Sequence, residues 1–387
     1  MRDRHLLAGK VRVGHAIYAL KAGGEERELL NIINYGDHSR FYHVILCFTE
    51  ADAFASQLDP TVCELIQFHK GMGNDLRLPF RIATAVRRHQ LDILHARAWA
   101  TLLEASLAAS FTRVRGTVYA FHGKTLEELQ GTSLKRRCVE KFLLRRFHQV
   151  VTLSRRMCSE MVARYGLSED MIQVIPNGVD IEIFRPYEER KALRERFGLP
   201  PNRFIIGNVA RLDPIKNHEV ILRALRRLKK HTYKPLFLLV GEGAHRPVLE
   251  REIERFGLGA DVRLVGYSDR VPELMNCMDL YIQSSFYEGS SHTVVEAMAC
   301  GLPVLATDVG GMADLFSEGH EGRFFGPQDD DKLARLIAEL LQNNALRHIM
   351  GERARHRAVN HFSVRTMVRN YEALYLDLAA ATVGERA

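Results

Sequence analysis

Glu288 and Glu296 bracket the segment Glu288-Gly-Ser-Ser-His-Thr-Val-Val-Glu296, where residue types and spacing point most directly to chemistry. Before it, Leu280-Tyr-Ile-Gln-Ser-Ser285 reads as a buried strand. After it, Ala297-Met-Ala-Cys-Gly301-Leu-Pro-Val-Leu-Ala306 reads as helix, turn and next strand. Glu288 is then predicted in the loop at a strand's carboxyl end, with Glu296 about a turn into the following helix. Open α/β sheets take their ligands at that edge. The amides from Ser291 to Val294 would open the helix and favour an anion. Two carboxylates able to accept from hydroxyls, beside an anion site, suit a sugar attached to a nucleoside diphosphate. The same residues admit a structural reading, with Thr293 and Glu296 as a capping box and Glu288 in solvent.

Elements on both sides must position these groups. Val11–Ile17, His43–Phe48, Ile93–His95, Val118–Phe121 and Gln149–Leu153 read as strands alternating with helical patterns. The turn-rich stretch Ile175-Pro-Asn-Gly-Val-Asp-Ile-Glu-Ile-Phe-Arg-Pro186 interrupts the series. Alternation then resumes with Phe204–Val209, Leu236–Val240, Val262–Val265, Leu280–Ile282 and Pro303–Ala306. Such alternation implies parallel sheets covered by helices. A chain of 387 residues also exceeds one ordinary core. The expected fold class is α/β, two doubly wound Rossmann-like domains facing across a cleft. No G-x-G-x-x-G or Walker loop follows the first strand of either half, and Gly241-Glu-Gly243 is too short to signal a dinucleotide site.

Apolar residues make up 46% and charged residues 26% of the chain, the composition of an ordinary globular protein. The charged start, Met1 to Lys10, lacks the apolar stretch of a signal peptide, and no run is long enough to span a bilayer. Six cysteines far apart, without C-x-x-C, fit reduced thiols in the cytoplasm. Net charge is +7, densest between Lys135 and Arg146, where Lys135, Arg136, Arg137, Lys141, Arg145 and Arg146 interleave with Val139, Phe142, Leu143 and Leu144. That segment reads either as a basic amphipathic helix for peripheral contact with an anionic membrane or as an ordinary solvated face. No nucleic-acid signature is present, so no nucleic-acid partner is expected.

Several motifs occur in a fixed order: Gly23-Gly-Glu25, Phe121-His-Gly123, Ile175-Pro-Asn-Gly-Val-Asp180, Val209-Ala-Arg211 with Lys216, Val240-Gly-Glu-Gly243, the two-glutamate segment, and Glu296 to Thr307 with Gly310-Gly311. Together they resemble the retaining glycosyltransferases of family 4, with the GT-B fold, over nearly the whole chain. Within that family the likeness is greatest to bacterial exopolysaccharide-associated sugar transferases.

The resemblance implies an acceptor-side domain of residues 1–180, with a carboxyl-terminal helix of about residues 363–387 packed back on it. Residues 181–362 would bind the donor. It implies transfer from a nucleotide-sugar, UDP-linked before GDP-linked, to a saccharide or lipid-linked acceptor, without a metal or other cofactor. Arg211 and Lys216 would bind the diphosphate, and Glu288 the donor sugar. Gly289, Ser290, Ser291, His292 and Thr293 would line the phosphate and sugar, although His292 also reads as a solvent-facing loop residue. Glu296 would hold the ribose, and the base would meet the chain near Gly266, Tyr267 and Arg270-Val-Pro272. Gly23 and Gly24, at the end of strand one, would allow close approach to phosphate or sugar. His122 would lie against the donor sugar. Acceptor contacts are expected in Lys70–Leu78 and Lys124–Lys135, and Asp329-Asp-Asp331 reads as a helix start rather than a metal motif. The alternatives are a catalytically degenerate GT-B scaffold and a GT-B nucleotide-sugar epimerase.

Overall fold

The structure, a computed structural model, describes residues 9–21, 23–71, 73, 75–123, 131, 133–229 and 234–380. The expected acceptor segment Lys124–Lys135 lies largely outside these residues, as do parts of Met1–Lys10 and Lys70–Leu78. The chain forms two compact units, Met1–Gly178 together with Val364–Ala387, and Val179–Ser363.

The first unit is built on β1 (Val11–Ile17), β2 (Phe41–Cys47), β3 (Cys63–Gln67), β4 (Ile93–Arg97), β5 (Gly116–Phe121), β6 (Gln149–Thr152) and β7 (Ile172–Val174). All neighbouring strands pair in parallel, in the order β3-β2-β1-β4-β5-β6-β7. A parallel sheet is covered on both faces, which is why β2 is buried along its whole length. Chain order reverses between β1 and β4, the switch point of a doubly wound sheet. The last helix, Val364–Ala380, places Met367, Val368, Tyr371, Leu374 and Tyr375 at helical spacing in one core with Val13, Ile93 and Val118. It therefore belongs to the first unit despite its position at the chain's end.

The second unit repeats the scheme with β8 (Ile205–Val209), β9 (Leu236–Val240), β10 (Val262–Gly266), β11 (Leu280–Gln283), β12 (Val304–Thr307) and β13 (Gly322–Phe325), in the parallel order β10-β9-β8-β11-β12-β13. Its switch point falls between β8 and β11. Three strands were not legible as apolar runs: β3, β7 and β13. Each is short and lies at a sheet edge. With a neighbour on one side only, such a strand needs fewer apolar residues.

Candidate functional site

Lys216 and Glu288 meet where the second unit's strand order reverses. Lys216 ends the short 3-10 turn Pro214–Lys216 after β8, and Asp213 starts that turn by accepting from the Ile215 amide at 3.0 Å. Glu288 lies in the loop between β11 and the helix His292–Ala299. The two loops are stitched together: the Phe286 amide donates to the Ile215 carbonyl at 2.8 Å, the Ser284 hydroxyl to the Lys216 carbonyl at 2.8 Å, and Asn217 Nδ2 to the Ser284 carbonyl at 3.0 Å. Lys216 Nζ then donates to Glu288 Oε2 at 2.7 Å, and the same oxygen accepts from Gln283 Nε2 at 3.1 Å and Ser285 Oγ at 3.0 Å. The ion pair is mostly buried, with 19% of the Lys216 side chain and 15% of the Glu288 side chain exposed. Burial pushes the Glu288 carboxyl up, but the Lys216 charge and the hydrogen bonds from Lys216, Ser285 and Gln283 hold it below the ordinary carboxylate range. Glu288 is thus an ionised, oriented acceptor and not a solvated side chain.

A glycine fixes this loop from behind. Gly310 has φ +53, and a Cβ there would stand 1.8 Å from the Glu288 carbonyl oxygen. The Gly311 amide donates to that carbonyl at 2.9 Å. Gly310-Gly311 had stood out as a motif, but its contact with Glu288 was not legible from spacing. Gln283 and Ser285 were likewise missed, although two polar residues ending an apolar strand were the available signal.

The helix cap differs from the capping-box reading. Ser291, not Thr293, is the cap, its hydroxyl accepting from the Val294 amide, while Thr293 Oγ1 sits 3.2 Å from Ser291 Oγ. Gly289, Ser290 and Ser291 are buried; His292 opens the helix and is half-buried, so it is not a solvent-facing loop residue. Glu296 is half-buried, one turn in. Arg211 stands apart from the ion pair in character: its side chain is 75% exposed, 3.9 Å from Asp213. Gly241 and Gly243 support the Arg211 loop, since a Cβ at either would strike the Ala210 or Leu212 carbonyl at 1.9 or 2.2 Å. Gly266 ends β10 with φ +86 and accepts from the Gly241 amide, and Tyr267 beyond it is exposed.

In the first unit the expected glycines take a different place. Strand β1 ends at Ile17, six residues before Gly23, and Gly23 is the cap of the helix Gly24–Asn34. Its φ of −164 is ordinary extended backbone, so a left-handed turn is not what the glycine serves. A Cβ there would meet the Glu26 carboxylate at 2.3 Å. Glu25, in the same motif, has its carboxyl pushed up to about 8 by burial, an effect opposed by Arg97 and reinforced by Glu26 and Glu28.

His122 follows β5 and lies against a buried cluster that sequence reasoning missed. Its Nδ1 is 3.5 Å from Glu28 Oε2. Glu28, on the helix Gly24–Asn34, accepts at Oε1 from Arg97 Nη1 at 2.9 Å and from the Tyr371 hydroxyl at 2.8 Å. Both charged side chains are essentially inaccessible, 0% for Arg97 and 1% for Glu28. Burial pushes the Glu28 carboxyl up; His122, Arg97 and Tyr371 bring it below the usual range. Beside it, His15 Nε2 and His43 Nδ1 are 3.0 Å apart, and His95 Nδ1 is 2.8 Å from the Tyr375 hydroxyl. The available signal was four polar residues inside apolar strands, His15, His43, His95 and Arg97.

The basic segment forms the helix Leu134–Leu144, capped by Ser133. Leu143, Leu144 and Glu140 are buried, while Leu134, Val139 and Phe142 are exposed among the basic side chains. Arg136 lies 4.4 Å over the Trp99 ring and pairs with Glu140 at 2.9 Å, so part of the charge is internal to the fold. No helix among the described residues is long and apolar enough to cross a membrane. Asp329 caps the helix Asp330–Gln342, accepting from the Lys332 amide.

Residues 22–183 match the family model described as Glycosyltransferase Family 4, and residues 189–357 the one described as Glycosyl transferases group 1. The UDP-Gal:alpha-D-GlcNAc-diphosphoundecaprenol alpha-1,3-galactosyltransferase of Escherichia coli is 24% identical over 98% of this chain and 99% of its own. The N-acetyl-alpha-D-glucosaminyl L-malate synthase of Bacillus anthracis is 26% identical over 79% of each chain. Among solved structures, Anabaena Alr3699/HepE in complex with UDP superposes with a TM-score of 0.83 over 95% of this chain and 100% of that one, at 24% identity, a likeness of fold.

Proposed function

The chain belongs to the family 4, group 1 glycosyltransferases of GT-B fold, and from that premise we propose that it moves a sugar from a UDP-sugar to a lipid-linked or saccharide acceptor in bacterial glycoconjugate synthesis, with retention of anomeric configuration. The observation that carries this reading is the Lys216–Glu288 pair at the switch point between β8 and β11, beside a helix start. UDP is favoured over GDP because the E. coli relative is named for a UDP-sugar and HepE was crystallised with UDP. The acceptor class follows the same relative, whose named acceptor is a diphosphoundecaprenol-linked sugar.

Each residue then has a task. An ammonium has three donors, so Lys216 can keep Glu288 and still reach a donor phosphate. As the bond from the anomeric carbon to the diphosphate oxygen breaks, charge grows on the diphosphate, and Lys216 with Arg211 stabilises it there; no metal ion is needed in this reading. The acceptor oxygen bonds to the anomeric carbon on the face the diphosphate leaves, and the departing phosphate oxygen takes the acceptor's proton. Glu288 accepts from hydroxyls of the sugar and Glu296 from those of the ribose. Gly289 to Thr293 present backbone to the sugar phosphate, Gly266 and Tyr267 meet the base, Gly23 and Gly24 leave room for phosphate or sugar, and His122 offers its imidazole to the sugar. Leu134, Val139 and Phe142, with Lys135, Arg137 and Lys141, would rest on the anionic inner face of the plasma membrane.

Thermal stability against UDP, GDP and ADP, then against their sugars, tests the reading. A ligand at a hundred times its dissociation constant adds about 2.7 kcal/mol. UDP should shift the midpoint, and Glu296→Ala and Arg211→Ala should lose the shift. A protein that no nucleotide stabilises and that transfers no sugar from any donor would overturn it.

A further inference from the structure

We infer that Glu28 is a positioning residue for His122, holding the imidazole proton on Nδ1 and so presenting Nε2 as a hydrogen-bond acceptor. The inference deepens the reading of His122 given above and rests on it for its catalytic consequence, though not for the tautomer itself.

The geometry points to it in three steps. First, the two oxygens of Glu28 are used unequally. Oε1 takes both the Arg97 and the Tyr371 donors, while Oε2 has no hydrogen-bond partner among the described residues. The group facing Oε2 is His122 Nδ1, at 3.5 Å. Second, Glu28 is ionised and fully buried, and its charge is matched by Arg97. An Nδ1 lone pair turned toward that carboxylate would set two acceptors against each other away from water, at the cost of leaving both unpaired. A proton on Nδ1 removes the conflict, and in the neutral imidazole the other ring nitrogen is then the acceptor. Third, the arrangement is held from every side. Arg97 ends β4, and Ala98 after it has φ +55, a left-handed conformation that a non-glycine residue adopts at a cost. The Ala98 amide donates to the Ala120 carbonyl at 3.1 Å, two residues before His122. Glu28 comes from the helix after β1, and Tyr371 from the chain's last helix. Three separate segments converge on the carboxylate that a fourth carries. His122 Nε2 is itself buried, so a sugar hydroxyl that donates its proton to a hydrogen bond there has to be brought against it when the donor binds.

The test uses the full chain with ring-labelled 15N histidine, His122 being assigned by the signal lost in His122→Asn. Wild type should show Nδ1 protonated and Nε2 unprotonated. In Glu28→Gln the amide can turn its NH2 toward the ring, and the proton should move to Nε2. Because that change leaves Arg97 buried without its counter-charge, the double variant Glu28→Gln with Arg97→Met, which removes both charges, is measured beside it and should show the same move. With a UDP-sugar and acceptor, kcat should fall about 10- to 100-fold in Glu28→Gln, as for other residues that orient a reacting group. UDP stabilisation should stay unchanged. A wild-type His122 protonated on Nε2, or a tautomer and kcat unmoved by the variants, would overturn the inference. A wild-type chain that transfers no sugar while showing the Nδ1 tautomer would instead overturn the proposed function and leave Glu28's role standing.

Discussion

Both units set a carboxylate against a cation at the point where their strand order reverses, and they treat the pair in opposite ways. In the second unit Lys216 and Glu288 keep access to solvent, on loops fastened by backbone contacts and by Gly310. In the first unit Arg97 and Glu28 are sealed, with the Tyr371 hydroxyl bonded to Glu28 and four histidines, His15, His43, His95 and His122, around the pair. The Lys216–Glu288 pair keeps a narrow opening to solvent, and Ser285 and Gln283 would still donate to Glu288 if Lys216 were lost. A fully buried pair costs desolvation at both ends and is strongly destabilising when only one partner is removed. On the proposed reading, the same topology yields a donor site in one unit and a fixed support for one side chain in the other.

Arg97→Met tests that contrast at its largest. It leaves Glu28 charged and buried, and unfolding by denaturant should show a loss of about 3–5 kcal/mol. Lys216→Met should cost less in the same experiment, because Glu288 keeps the Ser285 and Gln283 donors and some access to water. The order reverses in turnover. Lys216→Met should lower kcat by about a hundredfold or more, as losing one group that stabilises transition-state charge does. Equal stability losses for the two variants would erase the distinction between the pairs.

The contrast also explains what was legible. Periodicity exposed both series of strands because parallel sheets are apolar along their length, and the β8 and β11 loops carry motifs whose residue types state their chemistry. Glu28 and Arg97 carry no such mark. They stand 69 positions apart; Glu28 alone reads as a surface charge, and Arg97 only as a charge closing an apolar strand. Tyr371 joins them from 343 positions beyond Glu28, and that contact depends on the last helix returning to the first unit. The strand-end position of His122 was readable, but its partner lay on a helix whose register had to be known first. The capping role of Ser291 was not legible because Thr293 matches a capping pattern equally well until the helix start is fixed.

Acid sharpens the comparison next. Burial holds His15 and His95 well below their ordinary range and His43 at about 3; in the second unit burial holds His218 at about 4. The unfolded chain binds protons at these groups from pH 6.5 downward while the folded chain does not. Their contribution is therefore intact above pH 6.5 and is lost as pH falls toward the folded values. Glu25 has the opposite sign, since a carboxyl raised to about 8 loses stability as pH rises from 4.5. Hydrogen exchange read by peptide at pH 7 and pH 5, corrected for intrinsic rates, separates the units. Opening free energies in β1, β2 and β4 should fall more than in β8 and β9, by up to about 1.4 kcal/mol per pH unit for each such histidine. Equal falls in both sets would mean the buried histidines do not distinguish the units.

Helix caps give the smallest effect and isolate function from stability. Ser291 caps the helix beside Glu288, and Ser154 caps the helix Arg155–Tyr165 in the first unit by accepting from the Met157 amide at 3.2 Å. Each Ser→Ala change should cost about 1 kcal/mol, since each frees one amide at a helix start. The consequences for ligand should differ. Ser291→Ala loosens the turn that carries Gly289 and Ser290 and should weaken UDP binding about fivefold, the equivalent of that loss when binding has to restore the turn. Ser154→Ala should leave UDP affinity where it was. Titration calorimetry on both variants decides it: matched stability losses with unequal affinities place the donor at the Ser291 helix, and matched affinities would move it elsewhere.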